Sequence, residues 1–366
     1  MKAWRRVMIG DVCLFLNGGT PSRSVEHFFQ GDIPWITGAD ITSPIVTAAR
    51  SYITKEAINS SATNHVPAGT VLLVTRTSVG KVATAGIDLC FSQDITALTP
   101  DASHLHAPYL VEFLKTQETH LERQARGATI KGITRQVVSD LEIPLPPLTE
   151  QRRIAEMLDR AEALRAKRRA ALAQLDSLTQ SLFFDLFGDP EKNSRGLKKT
   201  QLGKLIKLKS GEFLPAENMT QGGEFPVLGG NGINGFHDQF LFEEEQIVIG
   251  RVGVYCGCVH VAPKKSWITD NALYVSERSK DVEFGYLIHA LTHAKLNRYA
   301  SQSGQPLVSG SRIYPVEILV PPLASQSKFT RRVESVEKLK AAQRASLSEL
   351  DALFASLQHR AFRGEL

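Results

Sequence analysis

The sequence predicts an α+β chain built as a tandem repeat. Two globular domains of mixed α/β structure are each followed by a long helix, related by a pseudo-twofold, with the two helices paired as an antiparallel coiled coil. Three observations carry this: an ungapped internal repeat, a narrow apolar seam in each copy of it, and β-rich runs with one amphipathic helix upstream of each copy. The expected segments are a first domain over 1–145, a long helix over 146–188, a second domain over 189–320 and a second long helix over 321–366.

The repeat is clearest in the helices. Glu142 pairs with Glu317, a displacement of 175 residues, and the same displacement pairs Pro146-Pro147 with Pro321-Pro322 and Gln151 with Gln326. It also pairs Leu164 with Leu339, Arg169 with Arg344, Leu175-Asp176 with Leu350-Asp351, Leu182 with Leu357 and Phe187 with Phe362. The globular parts correspond more loosely. Val71–Arg76 aligns with Gln246–Arg251 at the same displacement, and Gly10 and Pro34 match Gly203 and Pro226 at 193 and 192. The first copy therefore holds about 18 extra residues between Gly38 and Gly69.

Each element has its own warrant. Val71–Val74 and Ile247–Ile249 are strand-like and precede glycine-containing turns (Gly80; Gly253, Gly257). Leu110, Phe113, Leu114, Gln117 and Leu121 form one side of a helix beginning at Pro108, and Leu287, Ala290, Leu291 and Ala294 repeat it. The proline pairs stand just before each long helix, where a fixed φ and a missing N–H do no harm. In the first long helix Ile154, Leu158, Ala161, Leu172, Leu175 and Leu182 fall on alternating steps of four and three. Phe329, Val333, Val336, Leu347, Leu350, Phe354 and Leu357 repeat that register in the second. Such a seam belongs to helices that pair. Each helix is expected to run for about 33–36 residues, about 50–54 Å. Arg165, Arg168, Thr179, Lys340 and Gln343 interrupt the seam, and loose packing or a bulge is expected there. Helices related by a twofold perpendicular to them would bring the chain ends together.

Composition narrows the function. At 42% apolar and 22% charged residues the chain is that of an ordinary globular protein, not a disordered one. No apolar run reaches the length of a bilayer, and the basic start, Met1-Lys2-Ala3-Trp4-Arg5-Arg6, lacks the apolar stretch of a secretory signal. Four scattered cysteines argue for a reducing compartment, so a cytoplasmic location is expected. A net charge of +5 admits nucleic acid as partner without requiring it.

Catalytic signals are weak. Gly230-Asn231-Gly232-Ile233-Asn234-Gly235 matches a dinucleotide fingerprint formally, but no amphipathic helix follows, so a turn-rich hairpin is expected. Cys256, Cys258 and His260 suggest zinc only superficially, because the alternation of Val254–Val259 is that of a buried strand. Neither a Walker phosphate loop nor an Asn/Asp-Pro-Pro-aromatic motif of adenine methylases occurs. Asp189-Pro190-Glu191-Lys192 lies in a charged linker and is not read as a nuclease cluster.

The chain resembles the specificity subunit (HsdS) of type I restriction-modification systems over essentially its whole length. The residues that carry the likeness are Gly18-Gly19-Thr20-Pro21-Ser22-Arg23, Ile33-Pro34-Trp35-Ile36 and Phe91-Ser92-Gln93-Asp94. In the second half they are Gly229-Gly230-Asn231-Gly232, Ile249-Gly250-Arg251-Val252-Gly253 and Trp267-Ile268-Thr269-Asp270-Asn271-Ala272. Both Pro-Pro-Leu…Gln segments and the Phe-Arg-Gly-Glu-Leu ending belong to the same pattern. A departure is Gln326-Ser327-Lys328 where the first copy has Gln151-Arg152-Arg153, which puts one partner contact in doubt.

The resemblance implies two target-recognition domains, each reading half of a bipartite, asymmetric site in double-stranded DNA, with the helices setting the distance between halves. It implies two methyltransferase subunits and two motor-nuclease subunits as partners. S-adenosylmethionine, ATP and Mg2+ would sit on those partners and no cofactor or metal on this chain, which would be non-catalytic by itself. An orphan subunit, or the recognition part of a related bipartite-site methylase or nuclease, is the alternative. Candidate DNA-facing residues are Arg76, Thr77, Ser78, Lys81, Arg123, Arg126, Lys131 and Arg135 in the first domain. In the second they are Arg251, Tyr255, Lys264, Lys265, Arg298, Tyr299, Gln302 and Gln305. Arg76 and Arg251 stand out as a pair that follows the same strand at the same displacement. The helical Arg152, Arg153, Arg160, Arg168 and Arg169 are expected to be solvated or partner-facing.

Overall fold

The computed structural model describes residues 4–127, 129–301 and 304–366. The chain separates into two units, Met1–Arg169 with Ala345–Leu366, and Ala170–Arg344, so the division falls inside both long helices.

In the first unit the strands Cys13–Asn17, Ile95–Pro100, Val71–Val74, Val82–Ala85 and Ile45–Val46 lie side by side in that order. All pairs are antiparallel except the last, where Ile45–Val46 runs parallel to Val82–Ala85. A second sheet orders Ser51–Ile53, Ile33–Ile36, Leu89–Phe91 and His65–Val66. The second unit repeats this frame. Ile206–Ser210, Ala272–Arg278, Gln246–Gly250 and Val259–Ala262 form one sheet, and Gly232–His237, Phe225–Gly229 and Trp267–Ile268 the other. The Phe225–Gly229 and Gly232–His237 hairpin is the turn-rich structure expected around Gly230. The additional residues of the first domain fold as Ile45–Val46, Ser51–Ile53, the helix Lys55–Asn59 and His65–Val66.

The helix beginning near Pro108 covers Ala107–Thr116 and then breaks, with Glu118–Gln124 as a separate segment. At the break Gln117 N donates to the Leu114 carbonyl, and the Thr116 hydroxyl bonds that of Phe113. Its counterpart is Phe284–His293. In both units a buried tyrosine ties this helix to the strand preceding the long helix. Tyr109 Oη donates to the Pro144 carbonyl at 2.9 Å and Tyr286 Oη to that of Leu319 at 2.8 Å.

The long helices run over Leu148–Phe187 and Leu323–Ala361, 40 and 39 residues, longer than expected. A buried glutamine holds the first turn of each. Gln151 Oε1 accepts from His106 N, and its Nε2 donates to the His104 and Pro146 carbonyls. Gln326 repeats this with Glu283 N, Asp281 O and Pro321 O. A fully buried amide with all three bonds made is stable; with one unmade it would cost the desolvation of an orphaned group.

Within each unit the helix segments run in opposite directions. In the first, Ile154 and Leu158 share a core cluster with Phe354, Leu357 and Phe362, whereas Arg165, further along, meets the earlier Asp351. In the second, Asp176 meets Lys340, and Phe183 packs on Phe329. The seam residues Ile154, Leu158, Phe329, Val333 and Val336 are buried and Ala161, Leu172, Leu175, Leu182, Leu347, Leu350, Phe354 and Leu357 half-buried. Phe183 and Phe187, not part of the expected seam, are buried beside Tyr286 and Phe329.

The expected bulge at the polar interruptions is absent, because both segments are continuous α-helix and the charges are paired. Arg165 bonds Glu162 and, at 2.6 Å, Asp351, and its guanidinium lies 4.4 Å over the Phe354 ring. Lys340 bonds Glu337 at 2.7 Å and Asp176 at 3.0 Å. Trp4 and Leu366 both pack against the first unit's core.

Candidate nucleic-acid interface

The first unit gathers most of its candidate residues at one hairpin tip. Val71–Val74 and Val82–Ala85 are joined through 75–81, where Thr75 N and Arg76 N donate to the Asp94 carbonyl and Gly80 N to that of Val74. Arg126 and residues 131–133 add a further layer. Thr77 N donates to Lys131 O, Ile133 N to Thr75 O, and Arg126 and Gly132 exchange two bonds, all at 2.9 Å. These bonds bring Arg76, Thr77, Ser78, Lys81, Arg126 and Lys131 together from separate stretches of sequence. Arg76, Lys81, Arg126 and Lys131 are exposed, and none forms an ion pair among the described residues. Unpaired, solvated cations on an edge held by backbone bonds suit phosphate contact. Arg135 is directed elsewhere, its guanidinium 5.0 Å over the Phe15 ring, and Arg123 lies exposed on Glu118–Gln124.

Thr77 is a threonine in the left-handed region, φ 66°. For a β-branched residue that conformation is strained, and it persists here because backbone bonds on both sides hold it. The corresponding residue of the second unit is Gly253, φ 76°. Its N–H donates to Pro306 O as that of Thr77 does to Lys131 O, and Val308 N donates to Arg251 O as Ile133 N does to Thr75 O.

These bonds correct the equivalence of Arg76 and Arg251. Val74 pairs with Ile95, and Gly250 with Ala272, so Val74 matches Gly250, Thr75 matches Arg251, and Arg76 matches Val252. The displacement in this strand is 176, not 175, and a one-residue slip turns a side chain to the opposite face. Arg251 is accordingly half-buried, with Nη1 donating to Ser210 Oγ at 3.1 Å and to the Asp270 carbonyl at 3.2 Å. It braces the edge rather than projecting from it.

Tyr255 and Gln305 lie on this second edge; Gln305 Nε2 would come within 3.5 Å of a Cβ on Gly253. Gln302 lies outside the described residues. Tyr299 is exposed at the end of the short turn Leu296–Tyr299, and Arg298 of that turn bonds Glu191 at 2.8 Å, with Lys295 at 3.3 Å from the same carboxylate. That pairing draws the Glu191 carboxyl below its ordinary range, the hydrogen bonds from Lys295 and Arg298 acting before their charge. Lys264 pairs with Glu244 and Lys265 lies 5.8 Å over Phe240. Both stand at the far end of Gln246–Gly250 from Arg251, beyond the Gln246–Ala262 pair.

Val254–Val259 is not a strand. Gly253–Tyr255 is a 3-10 turn, Gly257 has φ 81°, and the strand begins only at Val259. Cys256 is buried and Cys258 exposed, so the alternation seen in sequence does not belong to a single face of a sheet. Sequence reasoning missed Val254, which projects into solvent, and Phe213, also exposed; the glycines at 253 and 257 were the available signal for a tight turn.

The family described as type I restriction modification DNA specificity domain matches residues 1–174 and 195–350. The chain is 27% identical over 332 residues to the type I restriction enzyme EcoprrI specificity subunit of Escherichia coli, covering 85% of this chain and 82% of that one. It is 31% identical over 163 residues to the EcoR124I/EcoR124II specificity subunit of Escherichia coli, 43% of this chain and 40% of that one. The solved type I restriction-modification S subunit from M. genitalium shares its fold, with TM-score 0.69 and 19% identity over 98% of this chain and 96% of that one. No described helix is long and apolar enough to cross a membrane.

Proposed function

The chain belongs to the type I restriction modification DNA specificity family, and we propose that it reads a bipartite, asymmetric site in double-stranded DNA without catalysing a reaction itself. Each unit contributes one reading edge, 75–81 with Arg126 and 131–133 in the first and 251–258 with 305–308 in the second. The observation that carries the reading is that two backbone frames of the same hydrogen-bonding pattern present different side chains. A shared frame positions, and divergent side chains specify.

In this reading the long helices set the length of the unread spacer between the two half-sites. Two methyltransferase subunits, and two motor-nuclease subunits with them, assemble on the chain in the cytoplasm. S-adenosylmethionine, ATP and Mg2+ act on those partners. Support for twofold partner docking comes from exposed leucines at repeat-related positions, Leu164 and Leu178 on the first helix and Leu339 and Leu353 on the second. An exposed leucine repeated at the same place in both copies fits a surface that the partner covers.

The test is a map of modified adenines in cells carrying this chain and its methyltransferase partner. A single bipartite motif with unlike halves and a constant unread spacer is the expected result. Modification at a contiguous or palindromic motif refutes it, as does methyl transfer by the purified chain alone.

A further inference from the structure

The second unit's edge differs from the first in a way that specifies what it reads. Where Ser78 follows Thr77, Val254 follows Gly253. Val254 is 88% exposed, more than any other large apolar side chain described, with Tyr255 beside it at 46%. Phe213, 72% exposed, follows three residues after Ser210, whose hydroxyl accepts from Arg251. One exposed valine on a protein surface needs no explanation. A tight turn between two glycines, however, ordinarily carries Asn, Asp or Ser at its tip, because those side chains bond the turn's own backbone.

The turn is also rigid. Gly253 N donates to Pro306 O at 2.9 Å, Cys256 N to Gly253 O at 3.0 Å, Gly257 N to Gly250 O at 2.8 Å and Cys258 N to Tyr255 O at 3.1 Å. Cys256 is anchored in the unit's core. A Cβ on Gly250 would stand 2.2 Å from the Tyr255 carbonyl oxygen, and one on Gly257 2.3 Å from Asn297 N, so the backbone is packed from both sides. Arg251 locks the base of the turn through Ser210 and Asp270. Val254 is thus a pre-positioned apolar tip that the described residues of its own unit leave exposed.

We propose that Val254 is a specificity-determining residue that contacts the C5 methyl of a thymine in the major groove of the second half-site. The proposal rests on the DNA-reading function above. In the major groove thymine presents that methyl group, and cytosine an amino donor in a similar place. Two valine methyls packed there gain by covering the thymine methyl and, against cytosine, would leave the amino group without a hydrogen-bond acceptor. The first unit's tip, with Arg76, Thr77 and Ser78, offers hydrogen-bonding groups instead, so methyl dependence belongs to the second half-site.

The experiment uses the complex of this chain with its methyltransferase subunits and duplexes carrying the mapped site. Each thymine of the second half-site is replaced in turn by deoxyuridine, which removes the methyl alone. At one position the unaltered complex is expected to lose about fourfold in affinity, the worth of one buried methyl-sized group. The Val254→Ala complex is expected to bind thymine and deoxyuridine about equally at that position and to keep its thermal midpoint. The assignment is overturned if the mapped second half-site has no thymine, if no thymine shows methyl dependence, or if Val254→Ala retains that dependence unchanged. In each of those cases the complex still recognises its bipartite site. Binding with no sequence preference at all instead refutes the underlying function.

Discussion

Arg165 and Lys340 occupy the same position of the internal repeat, and the aspartates they bond on the opposite helix, Asp351 and Asp176, are repeat counterparts of each other. Each also bonds a glutamate three residues before it, Glu162 or Glu337. The two triads are not chemically alike, because the Arg165 guanidinium also covers the Phe354 ring, whereas the Lys340 ammonium bonds two carboxylates.

The Lys340 side chain is only 7% exposed while its partners are half-exposed or more, so its charge depends on them. Removing the carboxylates with Asp176→Asn and Glu337→Gln together is expected to destabilise the protein by about 1–2 kcal/mol, discounted for their exposure. Lys340→Met, which removes the buried charge itself, is expected to be within about 1 kcal/mol of neutral. Denaturant unfolding of the three proteins checks the order; a larger loss in Lys340→Met than in the double variant contradicts it.

Thr77 and Gly253 offer a reciprocal backbone test. Thr77→Gly relieves a left-handed β-branched residue and is expected to stabilise by about 1 kcal/mol. Gly253→Thr is expected to destabilise by about 1–2 kcal/mol through the backbone alone, since a Cβ there meets nothing closer than 3.5 Å. Equal and same-signed shifts in unfolding midpoint would show that these positions are not equivalent.

His289 lies against Phe329, with His293, Glu337 and Lys340 as the charged or titratable groups acting on it. Burial, aided by His293, pushes its imidazole down to about 4. In the unfolded chain it titrates near 6.5, so between these values the unfolded state binds a proton that the native state does not. Stability from this group is therefore intact at neutral pH and is lost as pH falls from about 6.5 toward 4. His289→Leu is expected to flatten that part of the stability profile, measured as urea midpoint against pH; parallel profiles would exclude the effect.

Given the proposed function, alanine at Arg76, Lys81, Arg126 or Lys131 is expected to weaken binding of the assembled complex to all DNA sequences alike. Each lost phosphate contact should reduce the slope of log affinity against log salt by about 0.9. Lys264→Ala, which removes a cation already paired with Glu244, is expected to leave the slope unchanged. Titrations at several salt concentrations distinguish these outcomes.

Sequence by itself determined the repeat, the two long helices and their seam, because a strict four-three spacing over nine positions is written in residue types and needs no tertiary information. It also located the hairpin edges near Arg76 and Arg251. Only the tertiary structure decided the register of those edges. Val71–Val74 and Ile247–Ile249 are continuous apolar runs buried on both faces, so they carry no alternation by which a one-residue slip could be detected. Cross-strand bonds with Ile95 and Ala272 fix the pairing, and with it which side chain braces the edge and which faces solvent. The turn at Gly253–Tyr255 was concealed in the same way, its alternating residue types mimicking a strand while positive φ at two glycines folded the chain back. The charged seam positions read as defects because each residue's partner lies on the other helix, far away in sequence and beside it in space.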